Sequence, residues 1–158
     1  MKHLPHSLVV FTLGEEFYAS PIEPVREILR IPEIIPVPQA SPYVEGVMSY
    51  RGHVLTVINM RRFFDLKPSK PSPAQRLMIV RLPSSLVGLL VDSVEEVVPV
   101  TEGALEPIPE TAGNSLTRRG LAGVTRWKSR LVMLLDLFNL LSPEQVHAVT
   151  QLRPEVVA

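Results

Sequence analysis

Apolar and polar positions alternate in short runs along this chain, and the runs predict strands more often than helices. Leu8 to Leu13 and Phe17 to Ile22 predict two strands joined at Gly14-Glu15-Glu16. Gly46 to Tyr50 and Val54 to Ile58 predict a second hairpin around Arg51-Gly52-His53. Asn59 then has the character of a helix cap, with Met60, Phe63 and Phe64 on one face of a short helix. Further strands are predicted at Leu77 to Leu82, Leu86 to Val91, Gly120 to Thr125 and Leu131 to Leu135, with Asp136 in the cap position.

The pattern occurs twice. Val25-Arg26-Glu27-Ile28 recurs as Val94-Glu95-Glu96-Val97, 69 residues later, and the same offset carries Leu8 to Leu13 onto Leu77 to Leu82. Gly46-Val47 and the segment Val54 to Met60 recur at an offset of 77, as Gly123-Val124 and Leu131 to Leu137. Two alike half-chains imply a pseudo-symmetric body with a seam, where a binding groove can sit. The growing offset places eight extra residues in the second copy, within the loop Thr101 to Arg119.

Between these elements the chain is rich in proline. Pro21 and Pro24 argue against a central strand there and for a short helical turn into Val25. Arg26 to Ile31 is too short for periodicity to choose between helix and strand. Pro32, Pro36, Pro38 and Pro42 define an extended connector, and Ser41-Pro42 can start one helical turn before Gly46. Residues 67–73 read as a mobile linker, and Ser142-Pro143-Glu144-Gln145 as the start of a terminal helix to about Leu152. The fold class expected is mainly β: two small five-stranded barrels with short helices. They form one domain over residues 7–152, with repeat halves at about 8–66 and 77–141 whose strands can cross between barrels. Residues 1–6 and 153–158 are expected as flexible tails.

Composition narrows the function. With 46% apolar residues the chain is globular, and sixteen basic against sixteen acidic residues give it no overall field toward nucleic acid or membrane. It has no cysteine, which excludes thiolate nucleophiles and cysteine metal sites and fits a reducing cytoplasm. Neither a signal core nor a spanning helix is expected. There is no Gly-rich phosphate loop and no GxSxG elbow. His3 and His6 lack a carboxylate at ligand spacing, His53 and His147 read as surface histidines, and Glu15-Glu16 and Glu95-Glu96 as solvated turns. No catalytic, metal or cofactor site is therefore expected.

Two features stand apart. Arg118, Arg119, Arg126, Lys128 and Arg130 form a basic stripe around Trp127, which offers an alternative reading as a single-strand nucleic-acid surface. Arg51 follows Tyr50 in a hairpin turn, and Lys128 follows Trp127 at the matching place. An aromatic followed by a cation thus marks the same corner of both copies, and arginine is favoured at protein interfaces.

Leu8 to Tyr18, Val25 to Leu29, Ile34 to Pro38 and Gly46 to Ile58, with Val87 to Val97 and Leu105 to Pro109, resemble the CheW family of chemotaxis coupling proteins from about Leu8 to Leu141. The resemblance implies two packed SH3-like barrels and a scaffold without catalysis, small-molecule substrate or nucleic-acid partner. Its partners would be the cytoplasmic tip of a chemoreceptor and the CheW-like regulatory domain of the histidine kinase CheA, with membrane association only through receptors. By analogy Val25, Glu27, Gly46 and Arg51 would line the receptor groove with Val94 and Val97, Arg51 being the polar anchor. Leu105 and Ile108 would face the kinase. The three valines also read as core residues, and Gly46 and Gly123 as residues needed for a turn. Ser49-Tyr50-Arg51-Gly52 departs from the family's usual Asn-Leu-Arg-Gly, and Asn59-Met60 from its usual Asp-Leu. The first departure points to a divergent chemosensory pathway.

Overall fold

The computed structural model describes residues 6–68, 70–83, 85–101, 103–109 and 120–141. The first half of the chain supplies β1 (Ser7–Leu13), β2 (Glu16–Pro21), β3 (Val25–Arg30), β4 (Val44–Tyr50) and β5 (His53–Asn59), then helix α1 (Met60–Phe63). The second supplies β6 (Arg76–Arg81), β7 (Leu86–Val91), β8 (Ser93–Pro99), β9 (Leu121–Trp127) and β10 (Arg130–Leu135), then α2 (Leu137–Leu140). They form two five-stranded sheets of order β8-β1-β2-β10-β9 and β3-β6-β7-β5-β4. Exchanging each strand for its repeat mate converts one order into the other. Each sheet, the wall of one SH3-like barrel, therefore takes two strands from one half-chain and three from the other.

Period-two alternation explains why β1 and β6 hold the centre. Leu8 and Val10 of β1 fill their own barrel with Val132 and Leu134. The alternate residues Val9, Phe11 and Leu13 join Met78 and Val80 of β6, and Leu82 just after it, in a core shared by both barrels. Leu77 and Ile79 of β6 turn back into the second barrel with Met48, Leu55 and Val57. The seam expected from the repeat is thus packed with apolar side chains along its length.

Several elements differ from the sequence reading. Val25 to Arg30 is a strand, paired antiparallel with β6 from Val25↔Val80 to Arg30↔Arg76, and β8 is its mate along β1. Pro21 ends β2 in the middle of a sheet, which is tolerated because the next ladder bond comes from the Ile22 N–H to the Ser7 carbonyl. The helical turns expected before Val25 and Gly46 are tight turns, closed by Val25 N–H on the Ile22 carbonyl and Val44 N–H on the Ser41 carbonyl. Both caps form as expected: Asn59 accepts from Arg62 N–H and Asp136 from Phe138 N–H, each at 3.1 Å. The terminal helix, most of the extra loop and both terminal tails bar His6 lie outside the described residues.

A structured corner and its mate

The β4–β5 connection has two residues, Arg51 at φ 48° and Gly52 at φ 82°. Two successive left-handed residues twist a hairpin in the sense its strands require. That turn projects the Arg51 side chain, 73% exposed, beside β3. There Glu27 Oε1 accepts from Tyr50 Oη at 2.6 Å and from Arg51 Nη2 at 3.0 Å. The guanidinium also lies 5.5 Å from the Tyr50 ring centroid. Tyr50 is itself buried, so a fixed hydroxyl pre-orients an otherwise mobile ion pair. The Tyr50 and Arg51 hydrogen bonds hold the Glu27 carboxyl below its ordinary pKa, and the Arg51 pKa is raised, chiefly by its bond to Glu27.

The same arrangement is built again in the other barrel. Lys128 at φ 49° and Ser129 at φ 64° make the β9–β10 turn. Trp127 Nε1 donates to Glu96 Oε2 at 3.0 Å, Lys128 Nζ lies 3.9 Å from that oxygen, and Nζ sits 4.7 Å from the Trp127 ring. Glu96 is the repeat mate of Glu27, so acid, aromatic and cation are all duplicated. The sequence reading found the aromatic–cation pair in both copies and placed Glu27 beside Arg51 only by resemblance; it did not join Glu96 to the second corner, although the offset of 69 links Glu27 to Glu96.

The connectors are duplicated too. Ile35 exchanges both backbone hydrogen bonds with Val47 at 2.9 Å, and Glu106 does the same with Val124 at 2.7 Å. Gly46 and Gly123 lie under these crossings. A Cβ at Gly46 would run into the Ile35 carbonyl, and one at Gly123 would come within 2.9 Å of the Glu106 carbonyl oxygen. Close approach of the connector requires glycine at both places, and at Gly46 the positive φ of 154° expected from the sequence adds to it, although neither glycine sits in a turn.

Among the expected groove residues, Glu27 and Arg51 are brought together at one corner. Val25 is half-buried against the shared core, on the same strand as Glu27. Gly46 is buried and presents no side chain, so it shapes that corner only through the connector it admits. Val94 and Val97 stand on β8 at the edge of the other sheet; Val94 packs half-buried on the shared core and Val97 is 51% exposed. Leu105 turns inward onto the first barrel's core, and Ile108 is half-buried in the connector.

Within the basic stripe, Arg118 and Arg119 lie outside the described residues. Trp127 packs on Phe17 at 5.4 Å between centroids, and the Arg130 guanidinium lies 4.8 Å from the Phe17 ring. The aromatic and two of the cations thus have partners within the barrel. No group of metal-ligating side chains is found among the described residues, and none of their helices is long and apolar enough to cross a membrane.

Strand-exchanged twin SH3-like barrels with a structured acid–aromatic–arginine corner define a duplicated, mainly β class of protein. The chain belongs to the CheW family: the CheW-like domain profile matches residues 7–145. It is 29% identical to the chemotaxis protein CheW of Rhizobium meliloti over 150 residues, covering 93% of this chain and 96% of that protein. It is 32% identical to the chemotaxis protein CheW of Helicobacter pylori over 136 residues, covering 85% and 80%. The crystal structure of the scaffolding protein TtCheW from Thermoanaerobacter tengcongensis superposes with a TM-score of 0.78 at 28% identity, covering 87% of this chain and 92% of that one.

Proposed function

We propose that the protein is a non-catalytic chemosensory scaffold. It holds the cytoplasmic tip of a chemoreceptor on one surface and the regulatory domain of the histidine kinase CheA on another. The observation that carries this reading is the Arg51 corner: an exposed guanidinium on a two-residue turn, steered by Glu27 and the buried Tyr50, in a fold whose relatives are chemotaxis proteins. Glu27 holds Arg51 in place, so a partner carboxylate can take over the guanidinium without a search for its rotamer. Val25 on the strand of Glu27 and the exposed Val97 on the edge strand of the other sheet supply apolar contact, and the half-buried Val94 supports that strand; Gly46 contributes the connector path rather than a contact. Leu105 and Ile108 mark the connector surface assigned to the kinase, where Leu105 sets the backbone from within and Ile108 offers side-chain contact.

The protein acts in the cytoplasm and reaches the membrane only through its receptors. Each contact is expected to be of micromolar order, about −8 kcal/mol, with the assembly held by multivalency. Surface plasmon resonance of immobilised protein against the receptor-tip hairpin and the kinase domain from the same organism tests the reading. Independent binding of both supports it; binding of neither leaves the fold without this function.

A further inference from the structure

Beside the Arg51 corner lies a cleft of about 390 Å³ whose lining contains Arg26, Arg51, His53 and Arg81 and no carboxylate. Arg26 is placed there by a β-bulge: Val25 and Glu27 oppose the neighbours Val80 and Ile79, which leaves Arg26 as the extra residue. Arg81 comes from the end of β6, where its N–H donates to the Pro24 carbonyl at 2.8 Å. The side chains of Arg26, His53 and Arg81, all exposed, have no hydrogen-bond or ion-pair partner among the described residues. Leu86 and Pro83 supply apolar wall. Ser85, also in the wall, carries a solvent-shielded Oγ with no hydrogen-bond partner among the described residues.

The duplicated corner serves as an internal control. The acid–aromatic–cation set is kept in both barrels, but the mate of Arg26 is Glu95 and the mate of Arg81 is Thr12. Folding alone therefore does not require a positive lining at this place. Arg51 is paired with Glu27, but Arg26 and Arg81 have no counter-charge among the described residues, and an anionic occupant removes the repulsion between them. The apolar wall favours a peptide over a phosphate chain.

We propose that this cleft receives an acidic segment of the protein partner, its carboxylates meeting Arg26 and Arg81 and its apolar side chains covering Leu86 and Pro83. The acidic chemistry stands on the cleft itself; the identity of the partner as the receptor tip rests on the proposed function above. Arg26→Glu/Arg81→Glu, which leaves Arg51, Tyr50 and Glu27 intact, is the test, with its fold checked by amide NMR. Against the receptor-tip hairpin, the double variant is expected to lose about tenfold in affinity and much of the salt dependence. Unchanged affinity in the folded variant overturns the inference while the scaffold reading stands. If wild type does not bind the hairpin at all, the scaffold reading fails and a short Glu-rich peptide decides the cleft. Shifts of the Arg26, His53 and Arg81 amides, absent in the double variant, uphold it, and their absence in wild type overturns it. Tighter binding of oligo-dT than of the peptide at those amides also overturns it, in favour of nucleic acid.

Discussion

Tyr50 donates its phenolic hydrogen to Glu27 across 2.6 Å, joining the end of one edge strand to the other edge strand of the same sheet. A leucine at this place would have no hydroxyl to give. Tyr50 therefore adds a fixed donor behind the Arg51–Glu27 pair, and it makes the geometry of the arginine less dependent on solvent. Trp127 plays the same part for Glu96 with its indole N–H.

Glu27 should titrate below the ordinary glutamate value of 4.5. Because its folded pKa is depressed, its contribution to stability is fully present above the unfolded value and is lost as pH falls through the folded one. In Tyr50→Phe the largest cause of the depression is gone, so the pKa should rise toward the ordinary value and the acid limit should move up. Carboxyl NMR titration of both proteins checks this; an unmoved Glu27 pKa in Tyr50→Phe would contradict the hydrogen bond's role.

Gly46→Ala should cost about 3 kcal/mol, since the added Cβ meets a backbone carbonyl that cannot move without breaking both Ile35–Val47 bonds. Gly14→Ala should cost only about 1 kcal/mol, the price of a left-handed alanine, because nothing lies within 4 Å of its added Cβ. Urea denaturation of the two variants provides the comparison. Equal losses would mean that the connector yields easily.

Residues 1–75 alone should not fold, because they leave both sheets incomplete and bare the shared core. Their expected signature is a collapsed amide spectrum without a cooperative transition, and mixing with residues 76–158 should restore dispersion. A sigmoidal unfolding curve for the first fragment by itself would refute the interdependence of the halves.

The duplication was legible in the sequence because both offsets survive in apolar positions that pack, such as Leu8 and Leu77 or Val57 and Leu134. The exchange of strands was harder to read. β3 pairs with β6 some fifty residues away, and periodicity over six half-buried residues says nothing about a distant partner. Caps at Asn59 and Asp136 were read correctly because capping is local chemistry. The tie between Tyr50 and Glu27, and the cleft around Arg26 and Arg81, needed the sheet order to bring separate strands together. Gly46 was visible as a repeated glycine, but its reason lay in Ile35, eleven residues upstream.

Arg51 is the proposed anchor for a receptor tip. The direct measurement is a pull-down of receptor-tip hairpin and CheA regulatory domain from the same organism, with wild type and Arg51→Glu in parallel. Wild type should capture both, and the variant should keep the kinase domain, keep its amide spectrum and lose the receptor by at least about tenfold. Normal receptor capture by a folded Arg51→Glu would contradict the account.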